Sequence, residues 1–334
     1  MRPQVAIIYN EPQPSRYFDM GEGRAVLGVL EAVAAVDKAL TTLGHPVSRI
    51  PLHPPLSLVR ERLESIPEGL VFNLFEGFAG RPETEAMVAD LLAELALPYT
   101  GCPGPALALA LDKARAKDLL LASGINTPRH QLLSPANLST FHLSYPCIVK
   151  PCAEDASHGL SEESVVHDEA SLARQVAKIS QLFGGQALVE EYLEGREFNA
   201  TVLGNRALTV LPASEIAYAL PPGKPKLLTF ASKWEPEDPY FSGTKVVCPA
   251  PIEPLEHEEI AGTAMAAFRI LGCWGYARVD MRRDAQGRLN VLEVNPNPDI
   301  SPDTGAARQA AAAGLTYEEF IERIVGIALE ESAS

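Results

Sequence analysis

The chain has 334 residues, of which 46% are hydrophobic and 21% are charged, and its formal charge at pH 7 is −15. This length is enough for two or three structural domains, and the composition is typical of a globular protein rather than a disordered one. The 43 acidic residues outnumber the 28 basic ones, which argues against nucleic acid as a partner because binding a phosphate backbone requires a basic surface.

The N-terminal sequence and the cysteines indicate where the protein works. The apolar run at residues 5–9 is too short for a cleavable signal, and no apolar stretch reaches the roughly 18 residues of a membrane span. The five cysteines form no CxxC pair, which favours reduced thiols over a zinc site or a disulfide framework. We therefore expect a cytoplasmic protein without membrane association.

Strand and helix patterns alternate in the first third of the chain and change in character later. The first part predicts strands at 5–9, 47–50 and 70–74 and helices at 25–43, 83–95 and 106–123. This alternation predicts an open, mainly parallel sheet with helices on both faces. From residue 145 onward, short strands and hairpins predict antiparallel sheet with helices interspersed. The segment 221–248, rich in proline, charge and aromatic residues, predicts a long ordered loop that acts as a lid.

A predicted hairpin near the C-terminus carries the clearest chemical signal. Arg278 and Asp280 share one face of its first strand, and Glu293 and Asn295 share one face of its second. If these faces coincide, two carboxylates and an amide oxygen converge beside a guanidinium, which are ligands that suit Mg²⁺. An isolated RxD or ExN is more often part of a solvated, ion-paired surface. Both motifs in one hairpin, flanked by apolar residues, favour the metal site.

Two further segments are weaker candidates for nucleotide contacts. Lys150 ends a strand just before the loop 152–159, so an ammonium and several backbone N–H groups lie near a potential phosphate site. A lysine at a strand end is, however, usually only solvated. Glu190 and Glu197 lie at the end of one strand and the start of the next, where they suit an adenine amino group or ribose hydroxyls. Charged caps of a surface strand explain them equally well.

The order of these segments resembles the ATP-grasp superfamily and, specifically, the D-alanine–D-alanine ligases. The likeness extends from about residue 70 to the C-terminus and more loosely before that. It rests on LPYTG at 97–101, ALALDK at 108–113, GINTP at 124–128, IVKP at 148–151, LVEEYLEGREF at 188–198, RVD at 278–280 and EVN at 293–295. Each motif is weak alone, but their common order is specific.

The resemblance implies an α/β and α+β fold of three lobes, with an N-terminal parallel α/β sheet and two antiparallel-sheet lobes that enclose ATP. The implied domains are 1–104, the N-terminal α/β domain; 105–192, the central ATP-grasp lobe; and 193–334, the C-terminal lobe with the metal and catalytic site. The implied nucleotide contacts are Lys113, Lys150 and Ser157 to phosphates, Glu190 and Leu193 to adenine, Glu197 to ribose, and Lys233 to the terminal phosphate as the lid closes.

The implied reaction is ATP-dependent joining of a carboxylate to an amine through an acyl phosphate. Asp280, Glu293 and Asn295 would hold Mg²⁺ (or Mn²⁺), and Arg278 would stabilise the tetrahedral intermediate. The implied partners are small amino-acid substrates and a second copy of the chain in a homodimer, and the implied setting is cell wall biogenesis. Two alternatives stay open: a ligase for other amino acids or small amines, and a nucleotide-binding regulator that does not ligate. A dinucleotide oxidoreductase is disfavoured because no GxGxxG follows residues 5–9.

The sequence departs from the family pattern mainly at residues implied to contact the substrate. Glu76 stands where the family has a histidine, Trp234 replaces a lid tyrosine, and Ser157 is the only serine left of two in the phosphate loop. Asp299 replaces a glycine, Thr304 stands where a serine contacts the second substrate, and Glu22 is a candidate for the family's N-terminal glutamate. Asp299 and Asp303 are consistent with a cationic substrate, and loop capping explains them equally well.

Overall fold

A computed structural model describes residues 2–13, 23–67, 69–78, 80–154, 159–229 and 231–332. Within helices, the side chains of residues 23–26, 233, 234, 331 and 332 are likewise outside the description. The expected contacts of Glu22 and Ser157, and of the Lys233 and Trp234 side chains, therefore lie outside the described residues. Among the helices that the structure describes, none is both long enough and apolar enough to cross a bilayer.

The N-terminal sheet is parallel and buried on both faces, as the sequence predicts. Its strands β1 (Val5–Asn10), β2 (Val47–Leu52) and β3 (Leu70–Leu74) lie in the order β2-β1-β3. Helix α1 (Gly23–Thr42) packs on one face, and helices α2 (Leu56–Glu64) and α3 (Thr84–Glu94) pack on the other. Every residue of β1 and β3 is buried, which accounts for their continuous apolar pattern.

The central sheet is antiparallel and has one helix packed against it. Its strand order is β4-β7-β5-β6, with strands β4 (His130–Leu133), β5 (Cys147–Pro151), β6 (Val165–Val166) and β7 (Ala187–Glu191). Helix α6 (Glu169–Phe183) buries Leu172, Val176 and Ile179 against this sheet. A capping box between Asp168 and Ser171 begins the helix.

The third sheet is also antiparallel and carries the predicted hairpin. Its order is β11-β10-β8-β12-β13, with β9 paired to β8. The strands are β8 (Glu197–Leu203), β9 (Thr209–Val210), β10 (Ser214–Tyr218), β11 (Thr244–Val247), β12 (Tyr276–Arg283) and β13 (Leu289–Pro296). Helix α9 (Pro254–Ile270) packs against one face, where it meets Val279 and Met281. The opposite face carries the candidate metal-binding side chains and is covered in part by a later helix, which contacts β8.

Two segments differ from their sequence-based prediction. The helix expected at 106–123 is two helices, α4 (Gly104–Leu111) and α5 (Lys113–Ala122). Asp112 leaves helical geometry with a ψ of 83°, and its side chain accepts a hydrogen bond from the Arg115 N–H, which caps α5. The expected loop at 221–248 contains helices α7 (Ala231–Trp234) and α8 (Pro239–Gly243) and ends in β11, which pairs with β10.

The two C-terminal helices connect the third sheet to the first. In α11 (Tyr317–Ser332), Phe320, Ile321 and Ile324 are buried in the same core as β1 and β3. Helix α10 (Gly305–Ala312) contributes Gln309, which is fully buried. Each of the three sheets falls inside one of the three ranges expected as domains, although the last helix packs on the first sheet. The domain boundaries themselves stay a prediction.

Gln309 fastens α10 to β8 through buried polar contacts. Its Oε1 accepts a hydrogen bond from the Thr201 N–H at 2.8 Å, and its Nε2 donates to Asn199 O at 3.0 Å and to Asn199 Oδ1 at 2.7 Å. Thr201 lies opposite Arg278 in the sheet. Gln309 therefore supports the strand next to the candidate site.

Replacing Gln309 tests this support. We expect Gln309→Leu to lower the free energy of unfolding by about 2–3 kcal/mol, because it leaves buried donors and acceptors without partners. Chemical denaturation measures the change. Gln286→Leu, in the exposed turn between β12 and β13, is the control and should stay within about 0.5 kcal/mol of wild type. Equal stability of the two variants would contradict the assigned role.

Candidate active site

The pairing of β12 with β13 brings together the four residues singled out from the sequence. Arg278 lies opposite Asn295, and Asp280 lies opposite Glu293. Arg278 donates to both carboxylate oxygens of Asp280, at 2.7 and 2.8 Å, and Asn295 Nδ2 donates to Asp280 Oδ2 at 3.0 Å. The face of β12 that carries Arg278 and Asp280 therefore coincides with the face of β13 that carries Glu293 and Asn295, as the predicted metal site requires. We call this shared face the ligand face.

A β-bulge makes this coincidence compatible with a buried core. The register shifts after Asp280, so that Met281 pairs with Val291 and Leu292 is the extra residue. In a regular strand, Val291 and Glu293 would point to the same face, because side chains alternate along a strand and these two residues are two positions apart. In the structure Val291 is fully buried in the core, whereas Glu293 lies on the ligand face. The bulge therefore lets Val291 lie in the core and Glu293 lie on the ligand face.

Lys117 supports the bulge and was not identified from the sequence. Its Nζ donates to the carbonyl oxygen of Leu292 at 2.7 Å and to Thr127 Oγ1 at 3.0 Å. The same ammonium lies 2.9 Å from Glu190 Oε1. Burial lowers the pKa of Lys117 from 10.5 to about 8. The sequence offered one indication of this role, because Lys117 is four residues after Lys113 in α5 and therefore lies on the same side of that helix.

Glu190 lies between two lysines in the interior. Lys150 Nζ is 3.0 Å from Glu190 Oε2, and Lys117 Nζ is on the other oxygen. Although burial alone would raise the pKa of Glu190, the two lysines lower it below its ordinary value. The carboxylate is thus engaged in ion pairs, and its expected contact with adenine stays a prediction.

A second lysine–carboxylate pair joins the central lobe to the metal candidates. Lys113 Nζ lies 3.3 Å from Glu293 Oε2 and donates to Glu154 O at 2.8 Å. Burial alone would raise the pKa of Glu293, but Lys113, Lys150 and Arg278 lower it well below its ordinary range. Glu293 is therefore ionised at neutral pH, as a metal ligand must be.

The donor set fits magnesium. Within the described residues, no three His, Cys, Asp or Glu side chains are grouped so as to hold a metal. The candidate set instead combines two carboxylates, Asp280 and Glu293, with the amide of Asn295. Mg²⁺ is bound by oxygen ligands and commonly uses only one or two protein carboxylates together with substrate phosphates. The residues present therefore suit this ion.

The candidate nucleoside contacts lie at the other end of the same sheet face. Glu197, buried at the start of β8, accepts a hydrogen bond from Tyr218 Oη at 2.8 Å. Burial raises the pKa of Glu197, and Arg282 Nη1 lies 3.3 Å from its Oε2. Leu193 is half-buried in the connection between β7 and β8. Arg282 was missed in the sequence, although it continues the alternation of Arg278 and Asp280.

A small cleft lies where the N-terminal sheet meets the end of β13. It brings together two predicted substrate residues, Glu76 after β3 and Asp299 after β13. It is also lined by Asn73, which is buried and whose Nδ2 has no hydrogen-bond partner in the described structure. Asn73 was missed because an asparagine in a buried strand has no local signal for a ligand contact.

Asp299 and Thr304 are engaged in the loop that follows β13. Asp299 Oδ1 accepts hydrogen bonds from the Ser301 N–H at 2.8 Å and from Ser301 Oγ at 2.7 Å. Thr304 Oγ1 donates to Asp299 O and Ser301 O at 2.9 and 2.8 Å. Of the two interpretations of Asp299 left open by the sequence, loop capping accounts for these contacts.

Comparison with known proteins gives the family. A family model described as the D-ala D-ala ligase C-terminus matches residues 123–326. The chain belongs to the D-alanine–D-alanine ligase family. It is 31% identical to a D-alanine–D-alanine ligase of Xanthomonas axonopodis over 96% of this chain and 93% of that one. It is 36% identical to the uncharacterized protein y4sG of Sinorhizobium fredii over 78% of this chain and 74% of that one.

The solved structures of two ligases share the fold. The D-alanine–D-alanine ligase of Bacillus anthracis aligns over 98% of each chain with a TM-score of 0.75 and 19% sequence identity. The VanG D-Ala:D-Ser ligase of Enterococcus faecalis aligns over 98% of this chain and 100% of that one, with a TM-score of 0.72 and 21% identity. The three-lobed architecture expected from the sequence is therefore confirmed.

The two lysines on Glu190 lead to a prediction about stability. We expect Glu190→Gln to lower the free energy of unfolding by about 3–5 kcal/mol, because it leaves two buried ammonium groups without their shared carboxylate. Lys150→Met should cost less, because Lys117 still pairs with Glu190. Chemical denaturation of both variants measures which of them loses more free energy of unfolding.

The neighbouring Glu191→Gln is the matched control. Glu191 pairs with the exposed Arg129 at 3.0 Å, so its loss should cost at most about 1 kcal/mol. A smaller loss for Glu190→Gln than for Lys150→Met would contradict the assignment of Glu190 as the shared centre.

Proposed function

We propose that this protein is an ATP- and Mg²⁺-dependent ligase that joins the carboxylate of one small amino acid to the amine of another through an acyl phosphate. One observation carries the proposal: Asp280 opposite Glu293 and Arg278 opposite Asn295 on a single sheet face, with Lys113 beside Glu293. Membership of the D-alanine–D-alanine ligase family supports the same reaction.

The charges of the site suit transfer of a phosphoryl group to a carboxylate. A carboxylate acylates an amine poorly, so it must first receive the terminal phosphoryl group of ATP. Lys113 and Lys150 supply positive charge on the central lobe, where the phosphates of the nucleotide would lie. Magnesium held by Asp280, Glu293 and Asn295 would neutralise phosphate charge. Glu197 would bind the ribose and Leu193 the adenine.

Arg278 is the residue suited to the second step, in which the amine attacks the acyl phosphate. Its guanidinium is fixed by two hydrogen bonds to Asp280, so its remaining N–H groups have a set direction. Donors fixed in this way stabilise the oxyanion that develops at the attacked carbon. Attack forms the amide bond, and phosphate leaves with the oxygen that bridged it to the acyl group. Segment 221–248, with Lys233, would cover the site and exclude water.

D-Alanine is the first substrate to test, because curated relatives are named D-alanine–D-alanine ligases. Glu76 and Asp299 in the cleft differ from the family pattern, so the panel should extend to other small D- and L-amino acids and amines. A D-alanyl-D-alanine product would place the protein in cell wall biogenesis, in the cytoplasm.

The test is ligation by the purified protein. We expect incubation with ATP, Mg²⁺ and the amino acid panel to release phosphate and form an amide-linked product with at least one pair. Binding of ATP without phosphate release from any pair would contradict the ligase and favour a nucleotide-binding regulator.

The metal assignment has its own test. We expect Asp280→Asn and Glu293→Gln to lower turnover about 100-fold or more, since each removes a charge that holds Mg²⁺ while keeping the side-chain shape. Asp284→Asn, in the turn at the far end of the same hairpin, is the matched control and should retain turnover. Near-normal turnover in both site variants would exclude these metal ligands.

A further inference from the structure

Arg282 places a second guanidinium on the ligand face of β12, and the proposed reaction gives it no role. Arg278, Asp280 and Arg282 alternate along the strand, so they share the face opposite the core that holds Val279 and Met281. Arg282 is 4% exposed and lies opposite Glu197 in the sheet. A charged side chain buried to this degree needs partners for its donors.

Most of the donors of Arg282 are satisfied by the protein. Nε donates to Gly195 O at 3.1 Å, and Nη1 donates to Lys226 O at 2.8 Å and lies 3.3 Å from Glu197 Oε2. Nη2 is buried and has no hydrogen-bond partner in the described structure. Buried donors are rarely left unsatisfied, and each one calls for a specific explanation.

The guanidinium of Arg282 is held by two tyrosine rings and by its hydrogen bonds. The Tyr192 and Tyr218 rings lie 5.5 and 5.6 Å from its central carbon, within the range of cation–π attraction. With Nε and Nη1 bonded, the planar group cannot turn to satisfy Nη2 elsewhere. The free N–H edge is therefore a fixed donor beside the carboxylate of Glu197.

We propose that Arg282 Nη2 donates a hydrogen bond to the ribose hydroxyl whose proton Glu197 accepts. The inference rests on the proposed function, in which ATP binds this face. A hydroxyl group has one donor and accepts through its oxygen, whereas a carboxylate only accepts and a guanidinium only donates. Glu197 and Arg282 together therefore match both capacities of one hydroxyl. Arg282 is then a specificity-determining residue that selects ribonucleotides over deoxyribonucleotides.

The experiment measures nucleotide binding by calorimetry in the presence of Mg²⁺, with ATP, 2′-deoxy-ATP and 3′-deoxy-ATP. We expect the wild-type protein to bind one deoxy analogue about tenfold more weakly than ATP, the loss typical of a charge-assisted hydrogen bond. Arg282→Met should bind ATP about tenfold more weakly than wild type and should discriminate against that analogue less than about twofold.

Arg283→Met is the matched control. Arg283 is the next residue along β12, and it donates to Glu256 and Glu259 of α9 at 2.9 and 2.7 Å. It should keep both the ATP affinity and the discrimination of wild type. Thermal denaturation checks that each variant folds. If Arg282→Met does not fold, Arg282→Lys replaces it, because an ammonium keeps the charge but loses the planar fork, and it should lose the discrimination as well.

Two results would overturn the inference. One is equal affinity of the wild-type protein for ATP and both deoxy analogues, a measurement that needs no variant. The other is a uniform loss for all three nucleotides in Arg282→Met, which would mean that Arg282 only anchors the backbone at Gly195 and Lys226. Absence of ATP binding by wild type would instead refute the proposed function, and binding without ligation would leave the ribose inference standing.

Discussion

The β-bulge at Leu292 is the constraint on which the candidate site depends. It lets β13 bury Val291 and Val294 in the core while Glu293 and Asn295 point toward the ligand face. The extra residue of a bulge has a carbonyl that the ladder does not satisfy in the regular way, and here Lys117 donates to it. The neighbouring Val291 N–H donates to Asn126 O at 2.8 Å. Two hydrogen bonds with the central lobe therefore support the register that places Glu293 opposite Asp280.

Buried lysines and carboxylates pair within the central lobe and between that lobe and the third sheet. Glu190 on β7 is shared by Lys117 and Lys150, and Glu293 on β13 pairs with Lys113. These contacts connect α5, the central sheet and the third sheet through charged groups in the interior. Such pairs cost desolvation and contribute little net stability, but they fix geometry. Lys113 is thereby positioned beside Glu293, one of the carboxylates proposed to hold the metal.

The sequence predicts the layers of the fold better than it predicts the site. Buried parallel strands and helical periodicity are local patterns, and they indicated the N-terminal sheet and its covering helices. The break at Asp112 was missed because residues that favour helices lie on both sides of it, and only the capping geometry reveals the new helix. The sequence could not show that the ligand residues of the two strands share a face. That depends on the bulge at Leu292, which strand alternation alone does not predict.

The remaining site residues were missed because their roles depend on distant partners. In the sequence, Lys117 looks like an ordinary surface lysine of a helix. Its role follows only from its contacts with Glu190 and Leu292, which are distant in the chain. Arg282 reads as a surface arginine until Glu197, far away in the chain, becomes its neighbour in the sheet. Asn73 is similar. Its Nδ2, which has no hydrogen-bond partner among the described residues, becomes a candidate ligand contact only because the loop after β13 lines the same cleft.

Isotope transfer measures the central claim, the acyl phosphate, most directly. The amino acid that supports phosphate release is supplied with ¹⁸O in both carboxylate oxygens, and the phosphate produced is examined by mass spectrometry. If the carboxylate attacks ATP and an amine then displaces phosphate, each phosphate carries one ¹⁸O from the substrate. Phosphate that contains no ¹⁸O, formed together with the amide product, would contradict the account.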